Sequence, residues 1–332
     1  MSFVTLGRSG LKVSRACLGT MTFGNAQWGT DDAESRRIVD AFIDAGHNFV
    51  DTADVYNAGA SEEIVGRAIA SKRSDVVLAT KGYNVMGGGP NDRGSSRAHL
   101  TRALEASLRR LGTDYIDLYQ LHSWDHDTPI EESMATLDGF VRTGKVRYVG
   151  CSNFYASQLV EAQWAADRLG GTAFVSLQPQ YSLIWRDIEL DILPTATRHG
   201  MGVIVWSPLG GGMLTGKYTR SGPEAVEGRL TQGSDMHAEG MRMLTFTDRN
   251  FEIVAEVEKV AAELGATATA VSLAWLTGRP GVTSLIIGPR TVDQLGHNLA
   301  GFDLELPVES AKRLGKVSRP PVSYPWYMQL RL

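Results

Sequence analysis

Eight short apolar runs, most ending in polar residues and alternating with stretches of helical periodicity, recur along the 332 residues and leave little freedom of architecture. They centre on residues 16–19, 48–51, 76–80, 116–121, 146–150, 174–178, 203–206 and 284–287. The first intervening helix opens at Asp31, with Glu34 three residues on, carries the apolar stripe Ile38, Val39, Phe42 and Ile43, and meets Gly46, placed to end it. Amphipathic runs follow over 98–110, 131–142, 158–168 and 188–198, and later helices are expected over 249–264, 269–277 and 308–317. Strand and helix alternating at this spacing predict parallel strands with crossover helices, and eight repeats predict a closed (β/α)8 TIM barrel, with residues 1–332 as a single domain. Residues 3–6 and 12–14, around Gly7-Arg8-Ser9-Gly10, predict an N-terminal β-hairpin capping the barrel's bottom. Residues 218–247 are rich in Gly, Met and charge with little period, which predicts a long mobile loop after the seventh strand. The aromatic C-terminal tail, Tyr324-Pro325-Trp326-Tyr327-Met328-Gln329, is expected to pack or to face substrate.

Composition narrows the partners. A net charge of −4, with acidic and basic residues mixed along the chain, offers no electrostatic footprint for nucleic acid or an anionic membrane and favours small or neutral ligands. The first residues lack a basic segment followed by an apolar core, and no run approaches the roughly 20 apolar residues of a membrane helix, so a cytoplasmic location is expected. Cys17 and Cys151 each lie in an apolar strand-like segment and read as reduced, buried thiols.

The chemistry collects at strand ends. Asp51 ends the second run, Lys81 follows the third, His122 follows the fourth, and Tyr56 lies in the loop just after Asp51. In a parallel barrel all these ends open on one face, so residues far apart in sequence converge. A tyrosine of ordinary pKa, about 10, is a poor acid at neutral pH. A neighbouring ammonium favours the phenolate, an imidazole hydrogen-bonds it, and a carboxylate holds the ammonium in place. The four side chains therefore read as a proton-donating tyrosine and its tuning shell.

Asp51-Thr52-Ala53-Asp54-Val55-Tyr56, followed by a strand-end lysine and histidine, resembles the aldo-keto reductase family. The resemblance continues through Gly19-Thr20-Met21-Thr22-Phe23-Gly24, Gly150-Cys151-Ser152-Asn153-Phe154, Ser207-Pro208-Leu209-Gly210-Gly211-Gly212 and Ile287-Gly288-Pro289-Arg290-Thr291, and so covers nearly the whole chain. Its glycine-rich loop and aromatic tail look closer to the bacterial and potassium-channel β-subunit branches than to aldose reductase. The resemblance implies reversible reduction of an aldehyde or ketone, with Tyr56 protonating the carbonyl oxygen, Lys81 lowering the tyrosine's pKa, Asp51 orienting Lys81 and His122 aligning the substrate.

None of these side chains supplies a hydride, so a nicotinamide cofactor is implied. The chain has no Gly-x-Gly-x-x-Gly, which leaves a Rossmann site unsupported. In the family the cofactor crosses the barrel's C-terminal face; the resemblance implies contacts from the strand-end segment Gly19, Thr20 and Met21, and carboxamide contacts from Ser152, Asn153 and Gln178. Trp206 stands where many members have a stacking aromatic. Gly211 to Lys217 matches part of a phosphate-binding P-loop but is followed by Tyr218 where Ser or Thr is required, so Ser207, Leu209, Gly210 and Lys217 are read as a pyrophosphate cradle, with Pro208 and Gly212 also expected at the cofactor. Gly288, Arg290, Gln294 and Asn298 are implied at the adenosine, Arg290 suiting the 2′-phosphate that separates NADPH from NADH. His297 replaces a glutamate frequent in the family. His122 and His126 sit in a loop before Pro129, which removes the helical spacing of a metal pair, and no metal is expected. Trp28, Tyr83 and Trp124, with Met21, are expected to line an apolar mouth suited to a cyclic ketone, keto-sugar or xenobiotic carbonyl. The expected state is a monomer or weak homo-oligomer. The alternative is a slow or non-catalytic redox-sensing subunit resembling potassium-channel β-subunits.

Overall fold

The structure, a computed structural model, describes residues 3–25, 28–221, 229–232, 236–322 and 324–329. Two short antiparallel strands, β1 (Phe3–Thr5) and β2 (Lys12–Ser14), precede the barrel. The barrel strands are β3 (Ala16–Gly19), β4 (Phe49–Asp51), β5 (Val77–Gly82), β6 (Ile116–Leu121), β7 (Val146–Ser152), β8 (Ser176–Gln178), β9 (Gly202–Val205) and β10 (Val282–Ile287). They pair in parallel in chain order, and β10 closes the ring by pairing with both β9 and β3. The expected (β/α)8 TIM barrel with its hairpin is the observed fold.

The two-residue period of a strand divides each one into an outer and an inner row. The outer row, including Leu18, Val50, Leu78 and Tyr119, is buried against the helices. The inner row changes character along the strand: Phe49 gives way to Asp51, Val77 and Ala79 to Lys81, and Leu118 to Gln120. At the apolar end, Cys17, Phe49, Val77, Ala79, Leu118 and Ile204 form one cluster with Leu6 and Val13 of the hairpin. The hairpin reaches this position through Gly7, whose φ is +57° and whose Cβ, were it present, would lie 2.5 Å from the carbonyl oxygens of Gly200 and Val175. Arg8 N then donates to Gly200 O at 2.7 Å. Cys17 and Cys151 are free and buried, as expected.

The structure revises the sequence reading in four places. The helix Ala60–Ile69 was not anticipated, because its buried face includes Ser61, Glu62 and Gly66 and so lacks a continuous apolar stripe. The helix expected over 188–198 is a 3-10 turn, Asp187–Glu189, followed by the helix Ile192–Arg198. Pro194 lacks the amide, and its ring would clash with the carbonyl four residues back in a continuous helix. Residues 218–247 contain the helices Arg229–Gln232 and Met236–Thr245, and Leu230 is buried against the glycine loop after β9. Residues 222–228 and 233–235 of the mobile loop expected over 218–247 lie outside the described residues. Finally, Tyr324, Tyr327 and Met328 of the tail are exposed, and they neither pack into the core nor line the cavity described below. Among the described residues no single helix is long and apolar enough to cross a membrane.

Candidate active site

A cavity of about 650 Å³ opens over the polar end of the barrel. At its floor, Lys81 is completely buried and donates from Nζ to Asp51 Oδ2 at 2.5 Å, Thr52 O at 2.8 Å and Tyr56 Oη at 3.3 Å. Burial works against the ammonium, but the Asp51 carboxylate and the Tyr56 phenol outweigh it and raise its pKa, so Lys81 stays charged. Asp51 is fixed from its other side: Oδ1 accepts from Gln120 Nε2 at 3.1 Å and from Gln178 Nε2 at 2.9 Å. Every partner of the carboxylate comes from a strand end or the loop after one, which is why the barrel can assemble it without any local motif.

Tyr56 reaches this floor through a strained turn. Asn57 and Ala58, immediately after it, have φ of 50° and 54°, in the left-handed region that side chains disfavour. Asn57 holds the turn by donating from Nδ2 to Met21 O at 3.0 Å and Phe23 O at 2.6 Å. The Tyr56 ring meets His122 edge-on, with centroids 5.8 Å apart. His122 Nδ1 lies 2.9 Å from Asn84 Nδ2. An amide donating there leaves the proton on Nε2. Burial, helped by the Lys81 cation, pushes the imidazole pKa down to about 3, so the ring is neutral throughout the physiological range.

One flank of the cavity is a closed polar network. Ser152 Oγ donates to Gln178 O at 2.7 Å, Asn153 Nδ2 donates to His122 O at 3.1 Å, and Trp206 Nε1 donates to Asn153 Oδ1 at 3.0 Å. Asn153 and Ser207 both have positive φ, 59° and 54°. Beyond Trp206 the chain passes through three consecutive left-handed glycines, Gly210, Gly211 and Gly212. A Cβ on Gly212 would sit 3.0 Å from Lys217 Cε. Ser207 Oγ accepts from Gly211 N at 3.2 Å. Lys217 and Arg290 both line this end of the cavity, and burial followed by the nearby Arg290 charge lowers the Lys217 pKa. Gln294 Oε1 accepts from Arg290 N at 2.9 Å, fixing the start of the helix Val292–Asp303.

Most residues singled out from sequence line this cavity: Gly19, Thr20, Met21, Trp28, Asp51, Tyr56, His122, Ser152, Asn153, Gln178, Trp206, Ser207, Pro208, Leu209, Gly212, Lys217, Gly288, Arg290, Gln294 and Asn298. Lys81 lies beneath the lining. Gly210 is buried behind it, and Gly211 takes the lining position instead. Two of the expected substrate residues are elsewhere. The Trp124 ring packs edge-on against Phe154, 5.2 Å between centroids, and borders a separate depression. Tyr83 starts a loop closed by Gly94 N donating to Tyr83 O at 2.7 Å, and does not line the cavity. Sequence reading missed Thr22, Thr215, Thr269 and Ile286 in the lining and Gln120 on the floor. Only Gln120 carried a usable signal, its inward parity two residues after Leu118.

Residues 15–319 match the aldo/keto reductase family. The chain is similar to an uncharacterised oxidoreductase of Bacillus subtilis, 39% identical over 98% of this chain and 100% of that one. It is also similar to a probable voltage-gated potassium channel subunit beta of Arabidopsis thaliana, 37% identical over 98% of each. An aldo-keto reductase of Fusarium vanettenii is 34% identical over 95% of this chain and 90% of its own length. The chain therefore belongs to the aldo/keto reductase family. It is an oxidoreductase acting on carbonyl groups, in a family that uses nicotinamide cofactors.

Proposed function

We propose that the protein reduces an aldehyde or ketone to the alcohol, reversibly, with NADPH in preference to NADH and with Tyr56 as proton donor. The observation that carries this reading is the position of Lys81 Nζ, 2.5 Å from Asp51 Oδ2 and 3.3 Å from Tyr56 Oη beneath an open cavity. A buried ammonium touching a phenol stabilises the phenolate left behind when the proton moves. Asp51, held by two glutamine amides, keeps Lys81 charged and aimed. Neutral His122, with its proton on Nε2, can donate a hydrogen bond to a carbonyl oxygen while Tyr56 protonates it.

The donor set fits the nicotinamide cofactor implied by the family. The left-handed glycines keep this end of the cavity free of side chains so that a pyrophosphate can approach the backbone, and a Cβ on Gly212 would crowd Lys217. Lys217 and Arg290 bring two cations to the same end, and Arg290 suits a 2′-phosphate. Gln294 and Asn298 would contact the adenosine, and Ser152, Asn153, Gln178 and Trp206 the nicotinamide end. When bound, the nicotinamide supplies the hydride for the carbonyl carbon. Met21 and Trp28 give the mouth an apolar border suited to a cyclic ketone, keto-sugar or xenobiotic carbonyl. We further propose a cytoplasmic protein built as one domain and working as a monomer or weak homo-oligomer.

The test is oxidation of NADPH and NADH by the purified protein against aldehydes, cyclic ketones and keto-sugars, with Tyr56→Phe alongside. Loss of about 10²–10⁴ in kcat in the variant is expected; turnover that survives the substitution rejects Tyr56 as the acid. The identity to a potassium channel subunit beta favours a second reading, a redox-sensing subunit. Tight NADPH binding with negligible turnover on every carbonyl would select it.

A further inference from the structure

The loop carrying Tyr56 hides a second acid that the proposed reaction leaves unused. Asp54 is completely buried, and among the described residues neither carboxyl oxygen finds a well-formed hydrogen bond. Its backbone N–H donates to Lys81 O at 3.1 Å, so this one residue joins the Tyr56 loop to the strand that bears Lys81. The charged and titratable groups facing it are Glu62 from the helix Ala60–Ile69, Arg110 from the helix Arg97–Leu111, Lys81 from β5 and Tyr119 from β6. Glu62 is fully satisfied: it accepts from Thr80 Oγ1 at 2.5 Å and from Arg110 Nε at 2.7 Å. Arg110 is thereby engaged with Glu62, and Lys81 with Asp51. The Tyr119 hydroxyl, also buried, has no hydrogen-bond partner among the described residues. An ionised Asp54 would thus be a second carboxylate beside Glu62 in a dry interior with no cation of its own.

We propose that Asp54 is a positioning residue for Tyr56 that works as the neutral acid: protonated, it seats the segment between Asp51 and Tyr56, and its ionisation loosens the Tyr56–Lys81 contact. The inference rests on the reading of Tyr56 as proton donor. Burial first, then the Glu62 charge, push the Asp54 pKa up to about 7, against the pull of the Val55 amide, Arg110 and Lys81. Ionisation near 7 then releases the seat. The unfolded chain releases this proton near 4, so the folded state holds the extra proton between about pH 4 and 7, and stability declines across that window as pH rises.

The experiment is the pH profile of kcat and KM for wild type, Asp54→Asn and Tyr56→Phe, with a carboxyl ¹³C NMR titration of the wild-type protein. Wild-type kcat is expected to fall roughly tenfold as pH rises through 7, as a small displacement of an acid produces, with KM nearly constant. Asp54→Asn, neutral at every pH, should keep the low-pH kcat past pH 8. An unaltered profile in Asp54→Asn, with Tyr56→Phe inactive, overturns the Asp54 proposal alone. Full turnover in Tyr56→Phe overturns the reading of the site, and the Asp54 proposal with it. Should Asp54→Asn fail to fold, the NMR titration decides: a midpoint near 7 supports the proposal, and one near 4 rejects it.

Discussion

The two ends of the barrel are built from the same strands and obey opposite rules. At the hairpin end, the inward residues Phe49, Val77, Leu118 and Ile204 close with Leu6 and Val13 into an apolar plug. Two or more residues further along the same inner rows stand Asp51, Lys81 and Gln120, charged or polar and just as buried. Apolar burial stabilises the first end at roughly 25 cal/mol per Å². At the other, removing Lys81 and Asp51 from water carries a penalty that their mutual attraction and hydrogen bonds must offset. Stability and chemistry are thus separated along one strand direction, and the two should be separable by mutation.

Lys81→Met should break the polar end most severely. It leaves the Asp51 carboxylate buried with only the Gln120 and Gln178 amides, and removing one member of a buried pair costs about 3–5 kcal/mol. Urea unfolding would measure this, and turnover should fall with it, because Tyr56 loses its cation. A variant as stable as wild type would mean that the buried pair does not constrain the fold. Leu6→Ala tests the other end. Removal of a fully buried leucine costs about 3 kcal/mol, yet kcat and KM per folded molecule should stay within about twofold, since the site is at the far end of the strands. A large change in KM would show that the plug and the site are coupled.

The contrast also explains what could be read from sequence. The apolar-to-polar change along each run exposed Asp51, Lys81 and His122 as strand-end residues, because strand parity and strand direction are local properties of the chain. Their convergence required only that the strands be parallel. Glu62 escapes sequence reading because a carboxylate on a helix face reads as solvated until its tertiary partners, Arg110 and Thr80, are known, and Asp54 because a loop carboxylate carries no local sign of burial. Trp124 and Tyr83 were placed at the mouth because they follow strands, but the path of a loop is set by contacts such as Trp124 with Phe154 that no periodicity encodes. The helix Met236–Thr245 departs from the loop expected there, because Gly240 within it and the glycines and charges around it in 218–247 are weak helix signals. The residues expected at a pyrophosphate were suggested by the glycine-rich stretch and those expected at an adenosine by family resemblance, and no spacing in the chain would have found Thr269 or Thr215 in the same lining.

The smallest expected effect concerns the balance of two protons within the polar end. His122, with its pKa pushed down to about 3, stays neutral in the fold, while the unfolded chain gains a proton near 6.5. Its contribution to stability is therefore complete above about pH 6.5 and is lost as pH falls toward 3, at a slope of up to about 1.4 kcal/mol per pH unit. Asp54 has the opposite sign over an overlapping window, since its folded pKa of about 7 makes stability decline as pH rises from about 4. Between pH 5 and 6 the two slopes are expected to offset each other in the wild-type protein. Single substitutions should unmask them: His122→Gln leaves stability falling with rising pH by about 1.4 kcal/mol over that unit, and Asp54→Asn leaves it rising by a similar amount. Urea midpoints at pH 5 and 6 measure both. Parallel shifts in the two variants would show that the imidazole and the carboxyl do not carry opposite linkage, whereas slopes of opposite sign would place both titrations at the polar end of the barrel, within two strands of Tyr56.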